Sequence, residues 1–470
     1  MIAGLKPYPE YKESGLPLIG QVPAHWNHLR AKHLFREVDE RSVAGKEELL
    51  SVSHLTGVTP RSQKMVTMFL AKSNAGHKIC RPDDVVINTM WAWMGALGVT
   101  RHAGIVSPSY GVYRPLTGCA VLPRYADYLL RTPAYVADYQ RRSTGVNSSR
   151  LRLYPEQFLG TPVIFPPPDE QAAIVRFLDW ANGRLDRTIR AKRKVITLLN
   201  EQKQAIIHRA VTHGLDPSIP LKPSGIPWLG DIPRHWELMR ISRFARVGNG
   251  STPSRSQPTY WNGGTYPWLN SSQVNRSFIE TADQFVTQKA LRECPLPKVS
   301  AGSVLVAITG QGKTRGMSAM LGMEATINQH IAFITLRMPG LSPDYIQLAL
   351  TAAYRQLRAL SDDSGSTKGA ITCEDLKRFK LPIPPKVEQE GLVTYIHRET
   401  RSVTTAISRL EREITLLREY RTRLVADVVT GKLDVRAAAA QLPNEVPPDT
   451  AEVEADPSVD PEAADEEAAG

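Results

Sequence analysis

A glycine-rich segment is the part of this sequence that most resembles a nucleotide-binding motif. Gly310-Gln311-Gly312-Lys313-Thr314 matches the end of a P-loop, in which backbone N–H groups and a lysine hold phosphate oxygens. The complete motif also needs a glycine at position 307, which is Ala307. The sequence has no Asn/Asp-Pro-Pro-Tyr, G-x-S-x-G or H-E-x-x-H motif and no His/Cys spacing typical of a metal site. We therefore expect this chain to hold no catalytic residues, no metal and no cofactor.

Polar loops carry the residues that suit contact with a nucleic acid. At a shift of 218 residues, Ser148-Ser149-Arg150 aligns with Ser366-Thr367-Lys368. Hydroxyls and a cation suit phosphate oxygens, whereas a neighbour that the copies do not share, such as Asn147, is better placed to read base edges. Solvated loops with turn residues would give the same pattern. Further candidates for DNA contact are Arg61, Gln63, Lys64, Asn270, Ser271, Lys313 and Arg315.

The charge of the chain indicates a polyanionic partner. The formal net charge is +11, but ten Asp/Glu and no Lys or Arg follow Asn444, so residues 1–444 carry +21. A body this basic predicts nucleic-acid binding, although a merely soluble basic protein would have the same composition. The acidic, Ala- and Pro-rich end at 445–470 has too few apolar residues to order itself.

The composition favours a cytoplasmic protein of two or three domains. No apolar run reaches the ~18 residues of a membrane span, and the N-terminus lacks a signal-peptide pattern. The four cysteines lie far apart in the sequence, which suits reduced thiols better than disulfides.

A long amphipathic stretch occurs twice, at 170–214 and at 388–432. Within each copy apolar residues recur alternately every four and three residues, the 3.5-residue spacing that keeps a stripe facing a partner helix. Two surface helices on separate cores are an alternative, but the shared register favours packing of the two on each other. The predicted helix–helix seam consists of Leu185, Ile189, Ile196, Leu199, Ile206, Val403, Ile407, Leu410, Ile414, Leu417, Leu424 and Val428.

A second repeat opens each half of the chain. Residues 14–26 recur as 224–236, with seven of thirteen positions identical and a shift of 210. The Pro, Gly and Trp content predicts a turn-rich segment whose tryptophan packs into its own domain. The two repeats together indicate a tandem duplication.

Each half reads as a mixed α/β domain, so the predicted class is α+β with an internal pseudo-two-fold repeat. Predicted strands cover 49–58, 85–89, 104–106, 112–114, 163–165, 266–269, 303–308, 331–336 and 380–383, and shorter helices cover 123–139 and 342–360. The predicted segments are domains at 1–168 and 224–386, long helices at 169–214 and 387–432, a linker at 215–223 and an acidic disordered tail at 433–470.

The connectivity predicts how the two long helices run. The first leaves the first domain and leads to the second, and the second helix starts from the second domain. If their seams meet, they form an antiparallel coiled coil with one domain at each end. Lys192, Lys203 and Arg421 lie on the seam and must reach solvent or meet acids. The interiors of the two domains differ more than the repeated segments that enclose them, which suggests that the two domains recognise different targets.

The ordered set of segments resembles the specificity subunit of type I restriction–modification enzymes. The resemblance covers residues 8–434. In the first half it rests on 50–53, 57–58, 60–61, 95–98 and 104–108, and in the second half on 248–254, 260–261, 267–269, 325–330, 364–367, 381–385 and 388–389.

This resemblance implies a non-catalytic DNA reader with two target-recognition domains. Each domain would contact one half of an asymmetric, split double-stranded target, and the helices would set the length of the unread spacer. Two methyltransferase subunits would dock on the chain and bring S-adenosylmethionine, and restriction subunits, where present, would add ATP- and Mg-dependent cleavage. A self-sufficient methyltransferase or nuclease is disfavoured because its motifs are missing, and a DNA-binding scaffold or regulator without a modification role is the other alternative.

Overall fold

The computed structural model describes residues 5–15, 18–63, 73–145, 151–310, 312–362 and 369–443. Its Cα packing divides the chain into two compact units, the first holding 1–191 with 413–470 and the second holding 192–412. None of the described helices is long and apolar enough to cross a membrane.

Short strands dominate both units, and two helices are much longer than the rest. The strands are β1 (Tyr11–Glu13), β2 (Gln21–Pro23), β3 (Asn27–Arg30), β4 (Phe35–Glu37), β5 (Leu50–Ser53), β6 (Gly57–Pro60), β7 (Lys78–Cys80), β8 (Val85–Ile87), β9 (Leu97–Val99), β10 (Gly104–Val106), β11 (Gly111–Pro115), β12 (Pro162–Phe165), β13 (Leu221–Pro223), β14 (Asp231–Pro233), β15 (Glu237–Arg240), β16 (Ala245–Asn249), β17 (Tyr266–Leu269), β18 (Phe278–Ile279), β19 (Gln284–Val286), β20 (Val304–Ala307), β21 (Ser318–Leu321), β22 (Thr326–Ile327), β23 (Ile331–Leu336) and β24 (Lys380–Ile383). The helices are α1 (Pro123–Leu130), α2 (Pro133–Arg142), α3 (Pro155–Leu159), α4 (Pro168–His213), α5 (Ile241–Phe244), α6 (Gln288–Glu293), α7 (Pro343–Ala352), α8 (Tyr354–Asp362), α9 (Cys373–Arg378), α10 (Lys386–Val429) and α11 (Arg436–Ala440).

The first unit is built on a four-stranded antiparallel sheet of order β4-β11-β8-β9. The hairpin β5–β6 and the pair β7–β10 flank it. Its main core is aromatic, and the fully buried side chains include Trp26, Tyr113, Tyr125, Phe158 and Phe177. Because Phe177 belongs to α4, that helix is part of the core of this unit.

The second unit contains a five-stranded sheet of order β16-β23-β20-β21-β18 and a three-stranded sheet of order β19-β17-β22. Its largest core cluster contains Trp236, Phe244 and Tyr345 together with Ile207 of α4 and Leu392 of α10. Smaller clusters lie around Leu269 and Trp268. The two long helices therefore take part in the core of this unit as well.

Both long helices have clear start and stop signals. Each follows a proline run, and Glu170 and Glu388 stand in the first turns, where a carboxylate interacts favourably with the helix dipole. Gly214 (φ 73°) and Gly431 (φ 78°) adopt the left-handed conformation just beyond the two C-terminal ends.

Within each unit the predicted seam residues lie on the packed side of the long helices, and contacts in the first unit give the direction of these helices. All twelve predicted seam residues are buried or half-buried, Ile189 at 5% exposure and Val428 at 0%, whereas Leu198, off the seam, is 55% exposed. In the first unit Arg421, a predicted problem on the seam, lies 2.6 Å from Asp186, while Glu170 lies 3.9 Å from Arg436 beyond the other end of the helix pair. The residue number falls from 186 to 170 on one segment as it rises from 421 to 436 on the other, so the two segments run antiparallel.

The duplicated frame appears in the strand registers. Pro23 pairs with Tyr11 and Pro233 with Leu221, both members shifted by 210. The pairs β3–β12 and β15–β24 match in the same way, with a shift of 210 for the first strand and 218 for the second. The tandem duplication inferred from the sequence is therefore also a duplication of structure.

Several boundaries differ from the sequence prediction. The segment predicted as one strand at 49–58 is instead the hairpin β5–β6. The chain reverses between the two strands, and Gly57 (φ 68°) follows this turn in the left-handed conformation. The helix predicted at 123–139 is interrupted before Pro133, which lacks the N–H that a continuous helix needs. The helix predicted at 342–360 is divided between α7 and α8.

The ends of the long helices also differ from their predicted surroundings. The predicted linker at 215–223 ends in β13, which pairs with β14. The predicted disordered tail at 433–470 begins too early, because α11 forms there and buries Val435 and Ala439 in the first core. Val435 is the N-cap residue of α11 and Ala439 lies within the helix, and both are buried. The acidic residues 445–470 lie outside the described part of the chain.

Candidate nucleic-acid interface

A glutamate in the first turn of each long helix fastens that helix to its domain. Glu170, 5% exposed, accepts hydrogen bonds through Oε1 from Tyr8 OH (2.6 Å) and Trp26 Nε1 (2.9 Å), while Oε2 lies 2.8 Å from His25 Nε2. Burial and the hydrogen bond to Glu170 raise the pKa of Tyr8 far above its ordinary value. The tryptophan of the opening repeat therefore anchors the frame, as the sequence predicted.

The second unit repeats this anchor with fewer partners. Glu388 accepts from Trp236 Nε1 through Oε1 (3.0 Å), and its Oε2 lies 2.7 Å from His235 Nε2. The glutamines that follow also correspond: Gln171 donates to Pro166 O and Gln389 to Pro384 O, each at 2.8 Å. These contacts hold the same elements in the same relation in both units.

The two predicted phosphate-binding loops leave the frame at equivalent places. Leu153 N donates to Thr89 O (2.9 Å) beyond the end of β8, and Ile371 N donates to Ile308 O (2.8 Å) beyond the end of β20. Leu153 and Ile371 differ by 218, the shift that aligned the two loops. Predicted residues that lie outside the described part of the chain are Lys64, Asn147, Ser148, Ser149, Arg150, Ser366, Thr367 and Lys368.

Polar residues collect at one edge of the second unit, where several strands end. Asn270 follows β17, and Asn328 N, after β22, donates to Leu269 O (2.9 Å). His330 Nδ1 lies 2.6 Å from Thr309 Oγ1, after β20. Thr309 also forms an isolated bridge with Ala370, next to the predicted loop. We define Thr252, Asn270, Thr309, Asn328, Gln329 and His330 as the polar edge.

Most members of the polar edge were missed as site residues in the sequence. Thr252 Oγ1 donates to Gln329 Oε1 (2.5 Å), and Gln329 Nε2 lies 3.2 Å from His330 Nε2. These contacts join segments that are 77 residues apart in the chain. No local spacing marks such a pair, and the duplication gives no signal because the first domain has different residues there.

The predicted site residues of the second unit have different environments. Asn270 accepts from Ser272 N (3.1 Å) and caps the short turn that contains Ser271. Lys313 is exposed and lies in a turn, and its backbone carbonyl accepts a hydrogen bond from Tyr354 OH. Arg315 is only 6% exposed and donates through Nη1 to Gly369 O (3.0 Å). This contact holds the chain beside the predicted loop, and a contact of Arg315 with DNA stays a prediction.

The first unit presents a different set of groups. Arg61 and the exposed Gln63 lie in a short turn after β6. Trp91 and Trp93 stack with ring centroids 6.0 Å apart, close in sequence to Thr89, the residue that meets the end of the first predicted loop. This stacked aromatic pair has no counterpart on the polar edge.

The segment that resembles a P-loop does not have P-loop geometry. Ala307 ends β20, and the chain continues through turns into β21 rather than into a helix. Gly312 O accepts a hydrogen bond from Arg358 Nη1 (2.7 Å). A P-loop needs a helix N-terminus behind its glycines to hold phosphate, so the described residues of this segment, 307–310 and 312–317, lack the arrangement as well as the motif.

Residues 233–416 match the family model described as the type I restriction modification DNA specificity domain. The specificity subunit of the EcoR124I/EcoR124II type I restriction enzyme of Escherichia coli is 21% identical over 181 residues, which are 38% of this chain and 45% of that protein. The MjaIX specificity subunit of Methanocaldococcus jannaschii is 26% identical over 171 residues, 36% of this chain and 38% of that protein. The matches thus span less than two thirds of these curated relatives.

A solved structure extends the likeness to the whole fold. A chain from a study of complex assembly and conformational transition of the type I R-M system covers 88% of this chain and 99% of its own length, with 18% identity and a TM-score of 0.56. At this identity the likeness concerns the fold. Over residues 233–416 the chain is similar to the DNA specificity domain of type I restriction–modification systems, and its fold is similar to that of a chain from such a system.

Proposed function

We propose that this chain is the DNA sequence-recognition subunit of a type I restriction–modification complex. The main support is that the two domains share the same supporting elements but hold different side chains at equivalent places. Trp26–Glu170 and Trp236–Glu388 fasten equivalent elements, but one domain has the stacked Trp91 and Trp93 where the other has the polar edge. Two equivalent supports with different chemistry suit two different half-sites of one asymmetric target.

The charge distribution supports DNA as the ligand. Residues 1–444 carry +21, and such a body attracts the phosphate backbone whatever its sequence. Specificity must then come from groups held rigidly enough to read base edges. The polar edge of the second domain supplies hydroxyl, amide and imidazole groups that bond to one another across strand ends, so their positions are fixed before DNA arrives.

In this proposal the chain itself is non-catalytic, and the chemistry belongs to partners. Two methyltransferase subunits dock on the chain and bring S-adenosylmethionine, and restriction subunits, where present, bring ATP and Mg. The long helices set the spacer between the two half-sites. The names of the relatives, all specificity subunits of type I restriction enzymes, support this division of labour.

Selection from randomised duplexes tests the proposal. The full chain should enrich one bipartite duplex with a spacer of fixed length, and its specific affinity should exceed its nonspecific affinity by at least about 10³-fold. Enrichment of a contiguous site, or of none, would contradict it. Methyl transfer by the purified chain without any partner would instead favour a self-sufficient methyltransferase.

A further inference from the structure

The loop at residues 250–257 in the second domain is pinned at its start to the polar edge. Ser251 N donates to Ile327 O (3.0 Å), at the end of β22. A side chain at Gly250 has no room, since a Cβ placed there would lie 1.7 Å from the same carbonyl oxygen. The loop therefore leaves β16 at a fixed point, and only glycine permits this approach.

Two indole rings hold the next part of the loop. Trp268 Nε1 donates to Ser251 O and Trp261 Nε1 donates to Ser254 O, both at 3.1 Å. The rings meet edge to face, with centroids 5.2 Å apart and planes at 86°. The two rings therefore form a corner. Trp268 lies in β17, two positions before Asn270 of the polar edge.

The guanidinium of Arg255 occupies this corner. Its Cζ lies 3.9 Å from the ring centroid of Trp261 and 5.1 Å from that of Trp268. Nη2 donates to Gln284 Oε1 (2.8 Å). Arg255 is exposed, and no carboxylate in the described part of the chain lies within ion-pair distance of it. The cation is thus held in one orientation without being neutralised.

We propose that Arg255 is a specificity-determining residue that donates two in-plane hydrogen bonds to a base edge in the half-site of the second domain. The proposal rests on the proposed function. A guanidinium whose face is stacked on an indole still has N–H groups pointing outward in its plane, and this fork matches the paired acceptors of guanine in the major groove. Thr252, a member of the polar edge, lies three residues before Arg255 in the same loop.

A base contact explains the rigidity better than a phosphate contact does. A phosphate needs only a nearby positive charge, which a flexible side chain supplies. Fixing a guanidinium with two indoles and an amide is worthwhile when its donors must meet two acceptors at defined positions. Arg255 is exposed although its guanidinium is held by three side chains, and a purely structural role does not require that exposure.

The test compares the full wild-type chain with Arg255→Gln, Arg255→Lys and the control Arg378→Gln, whose arginine is 73% exposed on α9. The wild-type protein first selects its duplex from a random pool. Affinity is then measured for that duplex and for every single base-pair change in it, at two salt concentrations.

We expect Arg255→Gln to lower the affinity for the selected duplex about 10- to 100-fold and to abolish discrimination at one base pair of one half-site. Arg255→Lys should lose the same discrimination, because a lysine lacks the planar fork. The control should keep both affinity and preference.

Two results would overturn the inference while leaving the proposed function intact. One is an unchanged set of base preferences in Arg255→Gln. The other is full recovery by Arg255→Lys together with an equal loss on all duplexes in Arg255→Gln, which would mean a phosphate contact. If the wild-type chain itself selects no bipartite duplex, the proposed function fails first.

Discussion

Glu170 and Glu388 each contact a tryptophan and a histidine, but their side chains differ in exposure and in the number of partners. Glu170 is 5% exposed and Glu388 is 24% exposed, and only Glu170 has the additional donor Tyr8. Hydrogen bonds to a charged group contribute more to stability when water cannot replace them. The first anchor should therefore stabilise its domain more than the second.

Replacing each glutamate by glutamine tests this difference. We expect Glu170→Gln to lower the free energy of opening the first turn of α4 by about 2 kcal/mol, and Glu388→Gln to lower that of α10 by about 1 kcal/mol. Hydrogen exchange of the backbone amides reports both values. The matched control is Glu390→Gln in α10, whose glutamate is 61% exposed, and it should change neither opening free energy. Equal losses at both anchors would contradict the argument.

Lys203 is a cation on the apolar seam of α4. Burial lowers its pKa below that of an ordinary lysine. The unfolded chain therefore binds this proton more tightly than the folded chain, and stability increases as pH rises through the lowered pKa towards the ordinary value. At neutral pH the charged side chain weakens the helix pair.

Lys203→Met should stabilise the second unit by about 1 kcal/mol at neutral pH, because it removes a charge that burial disfavours. The gain should shrink as the pH rises through the lowered pKa of Lys203 towards the ordinary lysine value, because the folded wild-type chain then loses this proton. Urea unfolding across this pH range measures it. Lys194→Met, at an exposed position of the same helix, should show no gain. A gain that does not depend on pH would contradict the role of the charge.

Arg150 and Lys368 belong to the loops proposed to hold phosphate. Neutralising either residue should weaken binding to all duplexes by a similar factor and reduce the salt dependence of binding, because one fewer counterion is released. Affinities measured over a salt series check this. A changed base preference in either variant would show that the residue reads bases instead.

The seam of the long helices determines which apolar residues matter for stability. Ile189→Asn, at 5% exposure, should destabilise the first unit by about 3 kcal/mol, since it leaves a polar group against apolar neighbours. Leu198→Asn, at 55% exposure, should stay within about 0.5 kcal/mol. Thermal unfolding compares the two. Similar losses would mean that the 3.5-residue spacing does not mark the packed face.

Sequence periodicity and repetition predicted the elements that are regular. The long helices end within a few residues of their predicted bounds, and β17, β23 and β24 agree with prediction, because apolar patterns and prolines are local signals. Pro133 is a local sign of the break between α1 and α2, but the helical pattern on both sides of it favoured one continuous helix. The helix α11 was missed because its stability comes from burial of Val435 and Ala439 in a distant core.

The candidate site was less predictable than the frame. The Trp–Glu anchors could be found because each is written twice at fixed shifts. The polar edge and the corner that holds Arg255 join residues far apart in the chain, such as Thr252 with Gln329 and Arg255 with Gln284. Unlike the frame, these residues occur once, so neither repetition nor spacing marks them.

At the scale of the whole molecule, charge of opposite sign is separated along the chain. Removing residues 444–470 raises the formal net charge from +11 to +21. We expect the shortened chain to bind nonspecific DNA several-fold more tightly at low salt, with the difference vanishing at high salt, because the acidic residues compete with phosphate for the basic body. Electrophoretic mobility shifts measure this. A chain with the ten acids changed to amides should match the shortened one, and equal affinity of all three would refute the competition.

The paired anchors have a consequence for how such a gene can change. Trp236 and Glu388, with the strand pair β15–β24, stand at the borders of the second interior, and their counterparts stand at the borders of the first. A recombination event with both crossovers in these border segments would replace the whole interior of one domain. The Trp–Glu contact and the strand pair that hold this interior would be kept. New binding preferences can therefore arise in one genetic step, without the many compensating substitutions that a redesigned core would require.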